Sequence, residues 1–146
     1  MHLSPQAFQY GVLLYRVTST GDIEILLITT RQSQRWIIPK GRPIKGLGPA
    51  ESAAREAMEE AGVRGVVREK PIGSFRFQKT LESEPDILCE VEVYALNVKR
   101  QMKCWPESQQ RTLRWFQPSE AEAAVKDVGL RSLISLFVER ASAKAR

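Results

Sequence analysis

The sequence predicts an α/β domain in which a mixed β-sheet is sandwiched between helices. Three observations point to it. Apolar, β-rich stretches recur along the chain, an amphipathic helix interrupts them near the middle, and a second helical stripe closes the sequence. No repeat, linker or low-complexity segment divides residues 1–146. One domain is therefore expected, long enough to bury a substantial core.

Phe8 to Val17 is apolar and rich in β-formers and reads as the first strand. Ser19-Thr20-Gly21-Asp22 is a turn, and Ile23 to Thr30 is apolar on both faces after Glu24, as in a buried central strand. A polar connection, Arg31 to Trp36, leads to a short strand, Trp36-Ile37-Ile38, stopped by Pro39; Lys40 and Gly41 follow as loop. Gly48-Pro49 starts the mid-chain helix, since proline at the first helical position gives up only an amide with no helical partner. Gly62 ends it in a left-handed cap. Ala50, Ala54, Ala57 and Ala61 share one face, small enough to lie close to a sheet.

Val66-Val67 and Gly73 to Phe77 are strand pieces broken by Pro71, with Phe75 and Phe77 on the core side. Lys79 to Pro85 is a polar loop expected at the rim of a cleft. Asp86 to Val98 alternates, with Cys89, Val91, Val93 and Ala95 on one face and Glu90, Glu92 and Tyr94 on the other. Lys99 to Arg111 is a loop and Thr112 to Gln117 a short strand, after which Pro118 opens a short helix. From Leu130 to Ala143 a stripe of Leu130, Leu133, Ile134, Phe137, Val138 and Ala141 marks a packing helix.

Composition narrows the function classes. There is no run of eighteen apolar residues, so no membrane span is expected, and the first ten residues lack the pattern of a secretory signal. Cys89 and Cys104 have no metal-ligand spacing, which fits a reducing cytoplasm. The net charge of +5 suits a polyanionic ligand. Lysines and arginines are scattered and no nucleic-acid-binding motif is present, so a small-molecule polyphosphate is expected rather than nucleic acid.

One cluster stands apart. Glu56, Glu59 and Glu60 crowd a single face of the mid-chain helix. Like charges at these spacings cost roughly 0.2–0.5 kcal/mol per pair, and the last turn of a helix disfavours negative charge by a further ~0.3–1 kcal/mol. Arg55, four residues before Glu59, offsets part of this. A hard cation such as Mg²⁺ or Mn²⁺ would remove the conflict, because carboxylate oxygens suit it. A solvated acidic face is the other reading of the same spacing.

Arg55-Glu56-Ala57-Met58-Glu59-Glu60-Ala61-Gly62-Val63, with Gly41 fourteen residues before Arg55, resembles the 23-residue Nudix box. The resemblance implies the Nudix α/β/α sandwich and hydrolysis of a phosphoanhydride in a nucleoside diphosphate derivative or polyphosphate relative. It implies metal binding by Glu56 and Glu60 with a carbonyl from around Gly41. Trp36-x-x-Pro39-x-Gly41 is similar to many Nudix proteins, and Lys40 beside it suits a phosphate contact. The chain departs from the box at position 47, where a leucine replaces the expected glutamate.

Thr29-Thr30-Arg31, Trp36 to Gly41, Trp105-Pro106-Glu107 and Arg111 through Trp115-Phe116 further resemble the diphosphoinositol polyphosphate phosphohydrolases, the branch that also cuts diadenosine polyphosphates. That resemblance implies phosphate contacts from Arg31 and Arg111, whose forks can hold phosphate oxygens in pairs. It also makes Glu59 the candidate general base, while Arg55 is expected to orient the glutamates. The basic run that animal members carry before the first core strand is absent: Gln6 to Tyr10 holds no positive charge. A catalytically silent Nudix domain that senses a nucleotide, and a nucleic-acid-binding module, are the alternatives from other classes.

Overall fold

The computed structural model describes residues 4–79 and 86–144. Strands β1 (Ala7–Val17), β2 (Ile23–Thr29), β3 (Trp36–Ile37) and β4 (Lys40–Gly41) precede helix α1 (Pro49–Glu56). Its last turn widens into a π-helical turn over Ala57–Ala61. Then come β5 (Val63–Val67), β6 (Gly73–Lys79), β7 (Ile87–Gln101), β8 (Leu113–Phe116), α2 (Pro118–Ala124) and α3 (Val128–Lys144). The loop expected over Lys79 to Pro85 falls mostly on residues 80–85, outside the described residues; Lys79 itself closes β6.

The sheet is mixed. Its central order is β3-β2-β1-β7-β5, with β4 on β1, β6 on β7 and β8 on β2. β1 runs parallel to β7, and every other pairing among the described residues is antiparallel. β1 and β7 form the spine because both are long and apolar through their middles.

Alternation along the strands separates two cores. Val12, Leu14, Leu26 and Ile28 face α1 and pack with Ala50, Ala53, Ala57 and Ala61. Leu13, Tyr15, Ile25 and Leu27 face the other way, against Leu130, Ile134 and Phe137 of α3. Each fully buried leucine contributes about 1.5–3 kcal/mol relative to exposure. The result is the expected layering of helix, sheet and helix.

Local details differ from the sequence reading: the expected loop from Lys99 begins later, because Lys99–Gln101 continue β7, and β5 starts at Val63 rather than Val66. Ala53, not Ala54, is the fully buried member of the alanine stripe, because the i, i+3, i+7, i+11 row points most directly at the sheet. The helix is not α throughout, since its last turn is π-helical. Lys40 and Gly41 form a strand rather than a loop, paired with Gly11 and Tyr10.

That short strand positions the site. Leu14 to Val17 of β1 pair with β2, whereas Tyr10 and Gly11 pair with β4. Between them the sheet forks, and residues 36–41 cross the fork, Trp36 and Ile37 on β2, Lys40 and Gly41 on β1. Ile38, fully buried at the crossing, and the Pro39 carbonyl, which accepts from Val12 N at 3.0 Å, fix it.

Candidate active site

Pairing with Tyr10 turns Gly41 toward α1, while its neighbour Lys40 points to the opposite face. The Glu56 carboxylate lies directly against the Gly41 Cα; a Cβ there would overlap it. Only glycine leaves room for that approach. One turn on, Glu60 is 6% exposed and its protonated carboxyl donates a hydrogen bond to the Glu56 carboxylate. The π-helical turn that carries Glu60 is a deviation often found at functional sites.

Burial pushes the Glu60 carboxyl up to about 8, with the Glu56 hydrogen bond acting in the same direction and the Arg111 charge opposing it. Burial also raises Glu56, and the negative charges of Glu59 and Glu107 add to that. Even with Arg111 beside Glu60, the two carboxylates thus sit where they cannot both remain ionised without further positive charge.

Gly41, Glu56 and Glu60 are therefore brought together. Among the described residues no group of three or more His, Cys, Asp and Glu side chains is arranged to hold a metal ion. Two carboxylates and the backbone at Gly41 nonetheless suit Mg²⁺, which keeps several waters and needs only one or two carboxylates alongside substrate phosphate. Glycine at 41 leaves its backbone open to the Glu56 carboxylate, where a Cβ would stand in the way.

Glu59 is half-buried, close enough for its charge to raise Glu56, and its carbonyl accepts from Glu107 N at 3.1 Å. Arg55 is exposed and borders a shallow groove with Leu47, Glu51, Met58 and Arg64. Leu47 is half-buried in that groove beside Ala54 and Leu96, so position 47 is an apolar part of the surface, not a ligand.

Lys40 enters a cleft of about 350 Å³ on the α3 side of the sheet, lined also by Trp36, Phe75, Phe77, Arg35 and Lys126. Its ammonium lies 4.5 Å from the centre of the Phe77 ring. Burial lowers its pKa, while the Glu60 charge pulls the other way. Arg31 is exposed and donates to Gln110 Oε1 at 3.4 Å. It belongs to a tight loop held by Thr30, which bonds Ser33 and the Arg35 amide, with Gln34 at φ 52. A non-glycine residue in that left-handed region is unusual.

Arg111 is placed differently from the other cations. It is buried beside the acids, with its Nη2 3.5 Å from Glu60 Oε1 and its Nε donating to Glu107 Oε1 at 2.8 Å. Glu90 pairs with Arg76, and Glu92 accepts the Tyr94 hydroxyl, so neither joins the acid pair.

The sequence reading did not single out the clamp on the end of the helix. Gln101 Nε2 donates to the carbonyls of Ala61 and Gly62, Met102 N donates to Gly62 O at 2.7 Å, and the Trp105 ring covers Gly62. Glu107 and Arg111, at i and i+4, were the one visible signal of it.

The sequence and the fold are similar to those of known proteins. A family model described as the NUDIX domain matches residues 7–137. Nudix hydrolase 13, mitochondrial, of Arabidopsis thaliana is 33% identical over 121 residues, 80% of this chain and 60% of that relative. Diphosphoinositol polyphosphate phosphohydrolase 3-beta of Bos taurus is 30% identical over 120 residues, 80% of this chain and 69% of that one. The chain spans 53–60% of the length of three similar curated relatives. A crystal structure of a C. elegans Ap4A hydrolase binary complex has a TM-score of 0.69 at 20% identity, covering 94% of this chain and 98% of that one. At that identity the likeness concerns the fold.

Proposed function

This chain belongs to the NUDIX domain family, and from that premise we propose that it is a metal-dependent pyrophosphohydrolase, residues 1–146 acting as one Nudix hydrolase domain. The observation that carries the proposal is the Glu56 carboxylate seated on Gly41 with Glu60 hydrogen-bonded beside it. The substrate class is a nucleoside diphosphate derivative or a polyphosphate relative. A relative named for diphosphoinositol polyphosphate and a fold neighbour named for Ap4A support that range.

When bound, Mg²⁺ or Mn²⁺ would screen phosphate oxygens and lower the pKa of a bound water. Glu56, Glu60 and the Gly41 backbone would hold it. Glu59 is the candidate general base: it takes a proton as the water oxygen forms its bond to phosphorus and the bridging P–O bond breaks, the electron pair leaving with the departing phosphate. Arg55, exposed at the rim of the helix, is assigned an orienting role toward the acids. Lys40 and Arg31 would hold phosphate oxygens, Lys40 from the floor of the cleft and Arg31 from the adjacent loop.

The aromatic and apolar lining around Trp36 and Phe77 favours a nucleoside-ended polyphosphate over a densely anionic inositol pyrophosphate. The uncharged Gln6 to Tyr10 segment points the same way. Among the described residues no helix is long and apolar enough to cross a membrane. We place the protein in the cytoplasm on its free cysteines, although some relatives carry "mitochondrial" in their names. No nucleic-acid partner is proposed.

A catalytically silent, nucleotide-sensing Nudix domain is the second reading, favoured by the apolar setting of Leu47. Incubation with Mg²⁺ or Mn²⁺ and diadenosine polyphosphates, an inositol pyrophosphate, nucleotide sugars and ADP-ribose separates the two. Turnover that falls in Glu59→Gln and Glu60→Gln supports the hydrolase. Binding without turnover supports the sensor.

A further inference from the structure

All three guanidinium nitrogens of Arg111 are engaged within the protein. Nε donates to Glu107 Oε1 at 2.8 Å, Nη1 donates to the Thr29 carbonyl at 3.0 Å, and Nη2 lies 3.5 Å from Glu60 Oε1. The Arg111 and Glu60 side chains are 8% and 7% exposed. Thr29 is itself tied to the next residue of the same segment: its hydroxyl accepts from Thr112 N at 2.9 Å, and its amide donates to Thr112 O at 3.1 Å. Glu107 contributes twice, since its amide donates to the carbonyl of Glu59 at 3.1 Å.

A phosphate ligand needs free donors facing a cleft. Arg111 has each nitrogen turned to a protein oxygen and its side chain only 8% exposed, and it is not part of the lining of the cleft that Lys40 enters. A fork held at two fixed points, with its third nitrogen against a carboxylate, instead fixes where that carboxylate sits. We infer that Arg111 and Glu107 are positioning residues: Glu107 and the Thr29 carbonyl orient the Arg111 fork, and the fork holds the Glu60 carboxylate beside Glu56 and Gly41. This rests on the reading of the acid pair as the metal-holding end of the site. It reassigns Arg111 from substrate contact to support of the acids, and it makes residues 101–111 a strap that holds both the backbone and the side chains at the end of the helix.

The test uses Arg111→Lys, which keeps the charge and loses the fork, and Glu107→Gln, which keeps the shape and loses the charge. Folding of each is checked by thermal melting. Mn²⁺ affinity is read by electron paramagnetic resonance, steady-state kinetics are measured on a diadenosine polyphosphate, and a crystal structure of metal-free Arg111→Lys is determined. Both variants should weaken Mn²⁺ by about tenfold, the lower end for partners of metal ligands. Both should lower kcat and leave KM within about twofold, because no substrate contact is lost. In the metal-free crystal Glu60 should leave Glu56. Unchanged Mn²⁺ affinity with a raised KM would make Arg111 a phosphate ligand and overturn the inference, as would a Glu60 that stays in place. If the unsubstituted protein binds no Mn²⁺ but Glu60 still moves in Arg111→Lys, the positioning role stands and the metal reading falls.

Discussion

The carboxylate of Glu56 rests on the Cα of Gly41, fifteen positions earlier in the chain, with no space for a side chain between them. Two elements have to be placed correctly for this contact. β4 must pair with Tyr10 so that Gly41 faces the helix, and α1 must lie flat on the sheet, which its buried alanines allow.

Gly41→Ala should therefore disrupt the site more than the fold. The added methyl meets the Glu56 carboxylate, a side-chain end that can move, so overpacking should cost no more than about 1–3 kcal/mol. The displaced carboxylate should lower metal affinity and kcat/KM by about tenfold or more. Melting temperature and Mn²⁺ titration, measured on the same sample, check the two halves.

Metal-free stability should depend on pH through Glu60. Its folded-state pKa, about 8, lies above the ordinary 4.5. Stability from the protonated form is thus fully present below about 4.5 and is lost as pH rises through about 8, with a slope of at most ~1.4 kcal/mol per pH unit for one proton. Denaturant unfolding between pH 5 and 8.5 should show the decline. Glu60→Gln should flatten it, and excess Mg²⁺ should reverse it by supplying the missing positive charge.

Lys40→Met should separate charge from packing. The methionine keeps apolar contact with Phe77, while the charge that burial disfavours is gone. Stability should be unchanged or higher. KM for a polyphosphate should rise about tenfold, matching the loss of one charged hydrogen bond of roughly 1.5 kcal/mol. Calorimetry and steady-state kinetics read the two effects.

Gly62→Ala should act through the fold. Gly62 has φ 65, and a Cβ would enter the Trp105 ring. Left-handed strain of about 1–2 kcal/mol and overpacking of about 1–3 kcal/mol should lower the melting temperature by several degrees. The substitution should also loosen the 101–111 strap, visible as faster amide exchange at Met102, whose amide donates to Gly62 O.

The part of the site that was legible in the sequence is the part whose spacing is local. Arg55, Glu56, Glu59, Glu60 and Gly62 lie within about two turns of helix, and Gly41 stands at a fixed distance before them. The strands were legible from alternation, as at Val91, Val93 and Ala95, which reach the α3-side core, with Cys89 buried in the same row. Arg111 was visible as a residue but not as a partner of Glu60, fifty-one positions away, because only the fold brings them together. The fork between β1 and β2 was hidden for the same reason: a two-residue strand at Lys40–Gly41 carries no period. The π-helical turn left no mark either, since its residues match an α-helical pattern equally well.

The central claim is that Glu56 and Glu60 act on a polyphosphate through a divalent ion. It is tested most directly by kcat/KM for a diadenosine polyphosphate, with Mg²⁺ and with chelator, in the unsubstituted protein and in Glu56→Gln and Glu60→Gln. The expected result is hydrolysis that chelator abolishes and that each substitution lowers by about a hundredfold or more, the upper range for weakened metal sites. Hydrolysis that persists in chelator, or that both substitutions leave unchanged, would contradict it.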